Sequence, residues 1–300
     1  MMHSDFIESI RPFVDFITHC PELEIGLGAP RHFVRIVLSN GNRRFVQPAT
    51  ERDLTDSMNA YVDDLVNNLR DIDGFVLKEG SPSCSISRVR YYAGPEKTAQ
   101  IKSEGSGFFG GAVLERFQGI PIESDGRLRN ASIRENFLTK IFLLADFRRT
   151  AESGKIHELV KFHSRNKYSI MTFGQKYVKQ LGKIVSNPER NQFDAVVANY
   201  RDTLNELMVR TPRSTSMINV LMKIYSYFSD KVTTRERHSF LRSVESFRKG
   251  VLPLTALKET LRMWGIRFDE TYVEEQSIFQ PFPEELNSIC DVASFKSVSR

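Results

Sequence analysis

The spacing of apolar residues changes once along this chain, and no other feature constrains the fold as much. Up to about residue 150, short apolar runs alternate with helical spacings, and beyond it only helical spacings remain. Strand and helix in alternation build layered α/β structure, whereas unbroken 3.6-residue periodicity builds a bundle. With 300 residues, 40% of them hydrophobic, the chain can fill two cores at ~150 residues each.

In the first half, residues 13–18, 33–38, 44–46, 74–78 and 89–92 read as strands. Asn40-Gly41 joins the second and third as a hairpin turn. Leu54, Met58, Tyr61, Leu65 and Leu69 recur at helical spacing after Thr50 and Asp53, so a helix leads into the strand at 74–78. A strand, a helix and a second buried strand imply a right-handed crossover with parallel pairing. The second half carries stripes over 214–229, over a helix opened by a Thr233/Glu236 capping box and stopped at Gly250, and over a helix starting at Pro253. The expectation is an α/β domain over residues 1–150, with a mainly parallel, Rossmann-like sheet and flanking helices, then an all-α helical bundle over 151–300.

No apolar run approaches the ~20 residues of a membrane helix. The amino terminus carries no secretory signature. Three cysteines cannot make a disulfide framework, and their odd number suits a reducing compartment, so the expected location is the cytoplasm. A net charge of +5 and a pI near 9.0 permit nucleic-acid contact without arguing for it.

Two of the cysteines follow the strand readings, in Cys20-Pro21-Glu22 and Ser81-Pro82-Ser83-Cys84. In an open parallel sheet the strand ends are where ligands bind. Alone, these cysteines lack the close spacing of metal sites, and a free cysteine is commonly a packed thiol. The segment from Glu104 to Gly111 opens a helix that runs to about Phe117. Its glycines suit either a plain turn or close backbone approach to an anion, with Gly105 and Gly107 as candidate cofactor contacts.

Longer motifs add a resemblance. Cys20-Pro21-Glu22, Gly26-Leu27-Gly28, Pro30-Arg31, Lys78 with Ser81-Pro82-Ser83-Cys84, Gly105-x-Gly107-x-Phe109, Glu123, Gly126-Arg127-Leu128 and Arg134-Glu135-Asn136-Phe137 resemble the bacterial thiouracil desulfidase family over residues 3 to about 145. Phe162-His163-Ser164-Arg165-Asn166-Lys167-Tyr168, Met171, Leu181-Gly182, Asn219-Val220-Leu221, Tyr227-Phe228, the run from Arg248 to Leu254 and the run from Gln276 to Pro283 resemble the YbgA-like helical domain often fused to it. The resemblance implies non-redox removal of sulfur from a thiolated pyrimidine such as 2-thiouracil, on a [4Fe-4S] cluster held by three cysteines. By that resemblance Cys20 and Cys84 are cluster ligands, Glu22 is the acid/base, and Ser81 or Ser83 hydrogen-bonds the substrate.

One ligand is not accounted for. The family opens with a strand ending in a Ser-x-Cys-Leu-Leu-Gly type segment ahead of the Cys-Pro-Glu, whereas the nineteen residues before Cys20 hold no cysteine. Met1 to Ile7 aligns just after that strand. A shortened amino terminus is expected; the alternative is a cluster site lost in favour of a binding role. Cys290, assigned to the helical half, is a poor replacement.

Arg31 reaches either the cluster edge and substrate or a carboxylate in a salt bridge. His163 lies on a packed helix face, and with Arg165 and Lys167 it forms either an anion site for phosphate or RNA or an ordinary helix surface. Two rival readings follow: an RNA-associated protein that senses thiolated bases, with tRNA as partner, and an inactive paralogue acting as a structural partner.

Overall fold

The computed structural model describes residues 5–96, 99–187 and 189–290. Met1 to Ser4, part of the stretch aligned behind the family's first strand, lie outside the described residues. Two compact units emerge: the first runs to Phe137 and takes in the segment from Glu285, and the second is Leu138–Glu284. The sequence places the change near 150, where Glu152 ends a long helix and Gly154 turns with positive φ.

The first unit is α/β. Its elements are α1 (Asp5–Ile10), α2 (Pro21–Glu24), β1 (Arg35–Ser39), β2 (Asn42–Gln47), β3 (Arg52–Asp53), α3 (Thr55–Asn68), β4 (Phe75–Leu77), β5 (Val89–Tyr92), β6 (Ile101–Gly105), α4 (Phe108–Arg116) and β7 (Ile122–Ser124), before the start of α5 (Ala131–Glu152). Five strands form a mixed sheet in the order β3-β2-β1-β5-β6, with β1 and β5 parallel, Ile36 opposite Tyr91. β4 does not join it; it pairs in parallel with β7, Phe75 opposite Ile122. The crossover expected through α3 therefore leads to a second, two-stranded sheet.

Asn40 and Gly41 both take positive φ, as the tight β1–β2 hairpin requires. Asp53 Oδ1 accepts from the Thr55 amide at 3.0 Å and so starts α3. The helix then buries Met58, Val62 and Leu65 against Ile36 and Phe45 of the sheet and Phe108 and Val113 of α4. Phe45 and Phe108 meet edge to face at 5.5 Å between centroids, a geometry that their ring quadrupoles favour.

Residues 13–18 form no strand. Arg11–Phe13 is a 3-10 turn, and the chain then runs extended with Val14 and Phe16 half-buried and Ile17 61% exposed. An apolar run without a ladder partner keeps the extended backbone but not the sheet.

The second unit is all-helical: the rest of α5, then α6 (Ile156–Phe173), α7 (Gln175–Ser186), α8 (Phe193–Met208), α9 (Ser214–Tyr225), α10 (Thr234–Arg248), α11 (Leu254–Arg267) and the short α12 (Thr271–Glu274). Val220, Leu221, Ile224, Phe228, Leu257 and Leu261 are fully buried at its centre. The capping box is present, with Thr233 Oγ1 accepting from the Glu236 amide at 3.2 Å and the Glu236 carboxylate accepting from the Thr233 amide at 2.7 Å. α13 (Asn287–Cys290) follows in the segment that belongs to the first unit. Cys290 is thus assigned to the unit holding Cys20 and Cys84, contrary to its placement in the helical half. No helix among the described residues is long and apolar enough to cross a membrane.

Candidate active site

Two short segments far apart in sequence build the site. Cys20 sits just before α2 with extended backbone, and its carbonyl accepts from the amides of Leu23 and Glu24 at 2.9 and 3.1 Å. Pro21 at the first helical position needs no donor, so a single turn suffices to hold Glu22. The second segment is the turn that follows β4. There Ser81 Oγ accepts from the amides of Ser83 and Cys84 at 3.3 and 3.1 Å, a local arrangement that hydroxyl side chains impose on turns.

Glycine packs a helix start against that turn. The amides of Gly107, Phe108 and Gly110 donate to the carbonyls of Ser85, Pro82 and Ser83 at 2.7, 3.1 and 3.0 Å. A Cβ on Gly107 would stand 2.5 Å from the Ser83 carbonyl oxygen, and one on Gly105 would meet the Tyr91 hydroxyl at 2.3 Å. Gly105 and Gly107 therefore face protein rather than a vacant cradle, and the anion reading of their segment gives way to close packing behind Cys84. Those amides already have partners.

Glu22 joins the two segments. Only 5% exposed, it accepts from Ser83 Oγ at 2.5 Å and from Ser81 Oγ at 3.3 Å, both on Oε1, and from Cys20 Sγ at 3.5 Å on Oε2. Ser83 is fully buried and lies 3.3 Å from Cys84 Sγ. A hydroxyl has one proton to give, and with that proton on Glu22, Ser83 accepts from the Cys84 thiol. Burial, the largest influence, pushes that thiol up to about 11, with smaller contributions from the Glu22 and Cys20 charges, against hydrogen bonding by the two serines. Arg31 reaches in from the far side, Nη2 standing 3.7 Å from Glu22 Oε2 and 3.9 Å from Cys20 Sγ. Of its two readings, the carboxylate it pairs with is that of the site itself.

Comparison with known proteins gives this geometry a context. Residues 1–125 match the family model described as 2-thiouracil desulfurase, and residues 167–283 match one described as a protein of unknown function, DUF1722. The chain joins a 2-thiouracil desulfurase-like unit to a YbgA-like helical one. The chain is also similar to the uncharacterized protein YbgA of Escherichia coli (strain K12), 25% identical over 155 residues, which are 51% of this chain and 92% of that protein. No solved structure matches.

In the desulfurase-like unit, Cys20 at Glu22 and Cys84 at Ser83 are soft donors of the kind that hold iron-sulfur clusters. They supply two of the three thiolates implied by the family resemblance. Among the described residues no group of three or more His, Cys, Asp and Glu side chains is arranged to hold a metal. The donor set is thus compatible with a cluster but not sufficient for one.

Tyr61 also belongs to this neighbourhood, though its helical spacing marks it only as a core residue. Its hydroxyl lies 3.1 Å from His19 Nδ1, and burial, followed by the charges of Glu24, Cys20 and Cys84, raises it to about 12. A tyrosine on an apolar stripe presents a polar end at the rim, the one signal the sequence offered.

In the YbgA-like unit, His163, Arg165 and Lys167 do not come together. Residues two apart on a helix point ~200° apart. His163 Nδ1 meets the hydroxyl of Tyr200 at 3.1 Å, Arg165 pairs with Asp146, and Lys167 lies over the rings of Tyr168 and Tyr272 at 5.6 and 5.8 Å. The three side chains thus sit in three separate environments, nearer to the ordinary helix surface than to one shared anion site.

Proposed function

We propose that the desulfurase-like unit converts the exocyclic C=S of a thiolated pyrimidine, 2-thiouracil or a close relative, to C=O with release of sulfide, in the cytoplasm and with a [4Fe-4S] cluster as cofactor. The observation that carries this reading is the buried Glu22 carboxylate, which accepts from the Cys20 thiol and from the Ser81 and Ser83 hydroxyls, with the Cys84 thiol against Ser83, inside the segment that matches the desulfurase model. Reduced cysteines suit the cytoplasm.

The reaction balances without oxidant or reductant. Water oxygen bonds the ring carbon, the C–S bond breaks, and both water protons leave with the sulfide. Glu22 takes the first proton from the attacking water and returns it to the departing sulfur, the two halves of general acid/base catalysis. Ser81, whose hydroxyl reaches Glu22 and Ser83, would orient the ring N–H or carbonyl. Arg31, which faces that carboxylate, would offset the negative charge that develops on the thiocarbonyl sulfur as water adds. A [4Fe-4S] cluster with one open iron supplies, when bound, a thiophilic Lewis acid.

The test is sulfide release from 2-thiouracil by protein purified without oxygen and reconstituted with iron and sulfide. It is run on this chain and on one carrying the family's cysteine-bearing strand ahead of residue 1. Brown protein that releases sulfide, and stops doing so as Glu22→Gln, supports the reading. Colourless or inert protein in both forms overturns it.

A further inference from the structure

The helical unit contains a cleft of about 430 Å³, within the usual range for small-ligand sites. One wall is helical, with Asp146 and Arg149 from α5 and Arg165, Asn166 and Ser169 from α6. The other is the end of α12 at Glu274 and the mostly irregular segment from Glu275 to Pro283, with Arg262 of α11 at its side. That segment contains the run from Gln276 to Pro283 that the sequence singles out and that the chemistry of the first unit leaves unused.

Buried polar groups pin the irregular wall. Gln276, 3% exposed, donates from Nε2 to the carbonyls of Ser164 and Tyr272 at 3.0 and 3.1 Å. The Ser277 amide donates to the Arg165 carbonyl at 3.0 Å, and the hydroxyls of Ser169 and Ser277 meet at 2.7 Å. Chain without regular structure, fixed by buried side chains beside a cavity, is a pre-organised surface.

The lining points to an anion on a flat body that also carries hydrogen-bond donors. Arg149 makes one long contact, Nε to the Ala145 carbonyl at 3.4 Å, and pairs with no carboxylate among the described residues. Arg165 pairs with Asp146, which Asn166 also holds at 3.3 Å, so that guanidinium is positioned yet 52% exposed on its side chain. Guanidinium forks match phosphate oxygens. Phe142 and Phe279 supply apolar faces, and the carboxylates of Glu274 and Glu275 can accept from hydroxyl or amino groups.

We propose that this cleft binds a small organic phosphate of nucleoside-monophosphate size, its phosphate on Arg149 and Arg165 and its ring against the phenylalanine faces. The proposal does not depend on the chemistry assigned to the first unit.

Hydrogen exchange of the full chain tests it, with millimolar uridine monophosphate, adenosine monophosphate, uridine or inorganic phosphate added in turn. Expected is protection of α5, α6 and residues 274–283 by one or both nucleotides, weaker with uridine or phosphate alone. Arg149→Gln, which breaks no ion pair among those described, is expected to weaken nucleotide binding by about tenfold or more. Circular dichroism confirms that the variant is folded; if it is not, Arg165→Lys, which keeps the charge and loses the fork, takes its place with the same expectation. Protection absent with both nucleotides, protection confined to the first unit, uridine or inorganic phosphate matching the nucleotides, or affinity unchanged in the folded variant would each overturn the proposal.

Discussion

Ser83 donates its hydroxyl hydrogen bond to Glu22 Oε1 at 2.5 Å, tying together segments 61 residues apart in the chain. Hydrogen bonds to charged groups are worth about 1.5–3 kcal/mol, and this one fixes the carboxylate that would handle protons. Ser83→Ala is expected to lower sulfide release by about 10- to 100-fold, the kinetic equivalent of that energy. Glu22→Gln removes proton transfer itself, with an expected loss of about 10²- to 10⁴-fold. Sulfide measured against time separates the two, and a Glu22→Gln protein as active as the parent refutes the assigned role.

Cys84 should resist alkylation while the fold is intact. Burial raises its thiol from 9.0 to about 11. At pH 8 the thiolate fraction then falls about 100-fold below that of an unfolded chain, and the thiolate is the reactive form. Iodoacetamide labelling followed by mass spectrometry is expected to show Cys84 modified about 100-fold more slowly in native than in denatured protein. A folded pKa above the unfolded one favours the folded state at low pH. The stabilisation from this thiol is therefore complete below about pH 9 and disappears as pH rises toward 11.

Much of this architecture was legible because local signals agreed with the tertiary structure. Asn40-Gly41, the Thr233/Glu236 box and the Met58 stripe each specify their element through residue chemistry, and each element formed. The convergence of Cys20 with Ser83 and Cys84 was legible only through motif order, since no periodicity links residues so far apart. Residues 13–18 misled because an apolar run states a wish for burial, not a partner. β4 pairs with β7, whose three residues Ile122–Ser124 are too few to declare a strand. The glycines near residue 107 were ambiguous for a steric reason: close approach to a ligand and close approach to the Ser83 carbonyl demand the same missing Cβ.

That steric demand can be measured at Gly110. On propensity alone, alanine inside α4 gains about 1 kcal/mol over glycine. A Cβ there would lie 2.2 Å from the Ser85 carbonyl oxygen and 2.5 Å from that of Cys84, backbone atoms fixed by the turn. Overpacking costs about 1–3 kcal/mol, so the clash outweighs the propensity. Gly110→Ala is expected to lower the thermal midpoint and to speed Cys84 labelling as the turn shifts. An unchanged or higher midpoint would show that the packing tolerates a methyl group.

His163 offers a pH test of the helical unit. Burial, with a smaller contribution from the Lys167 charge, holds its pKa below the ordinary 6.5. Burial also raises the Tyr200 phenol, whose hydroxyl shares a hydrogen bond with His163 Nδ1 at 3.1 Å. A histidine whose folded pKa is depressed stabilises the fold fully above the unfolded value and loses that stabilisation as pH falls through the folded one. Urea midpoints of the helical transition should hold steady above about pH 6.5 and decline below it. His163→Gln, which keeps a hydrogen-bonding side chain but cannot take up a proton, is expected to flatten that decline. A variant with the same acid limb as the parent would assign the decline to other groups.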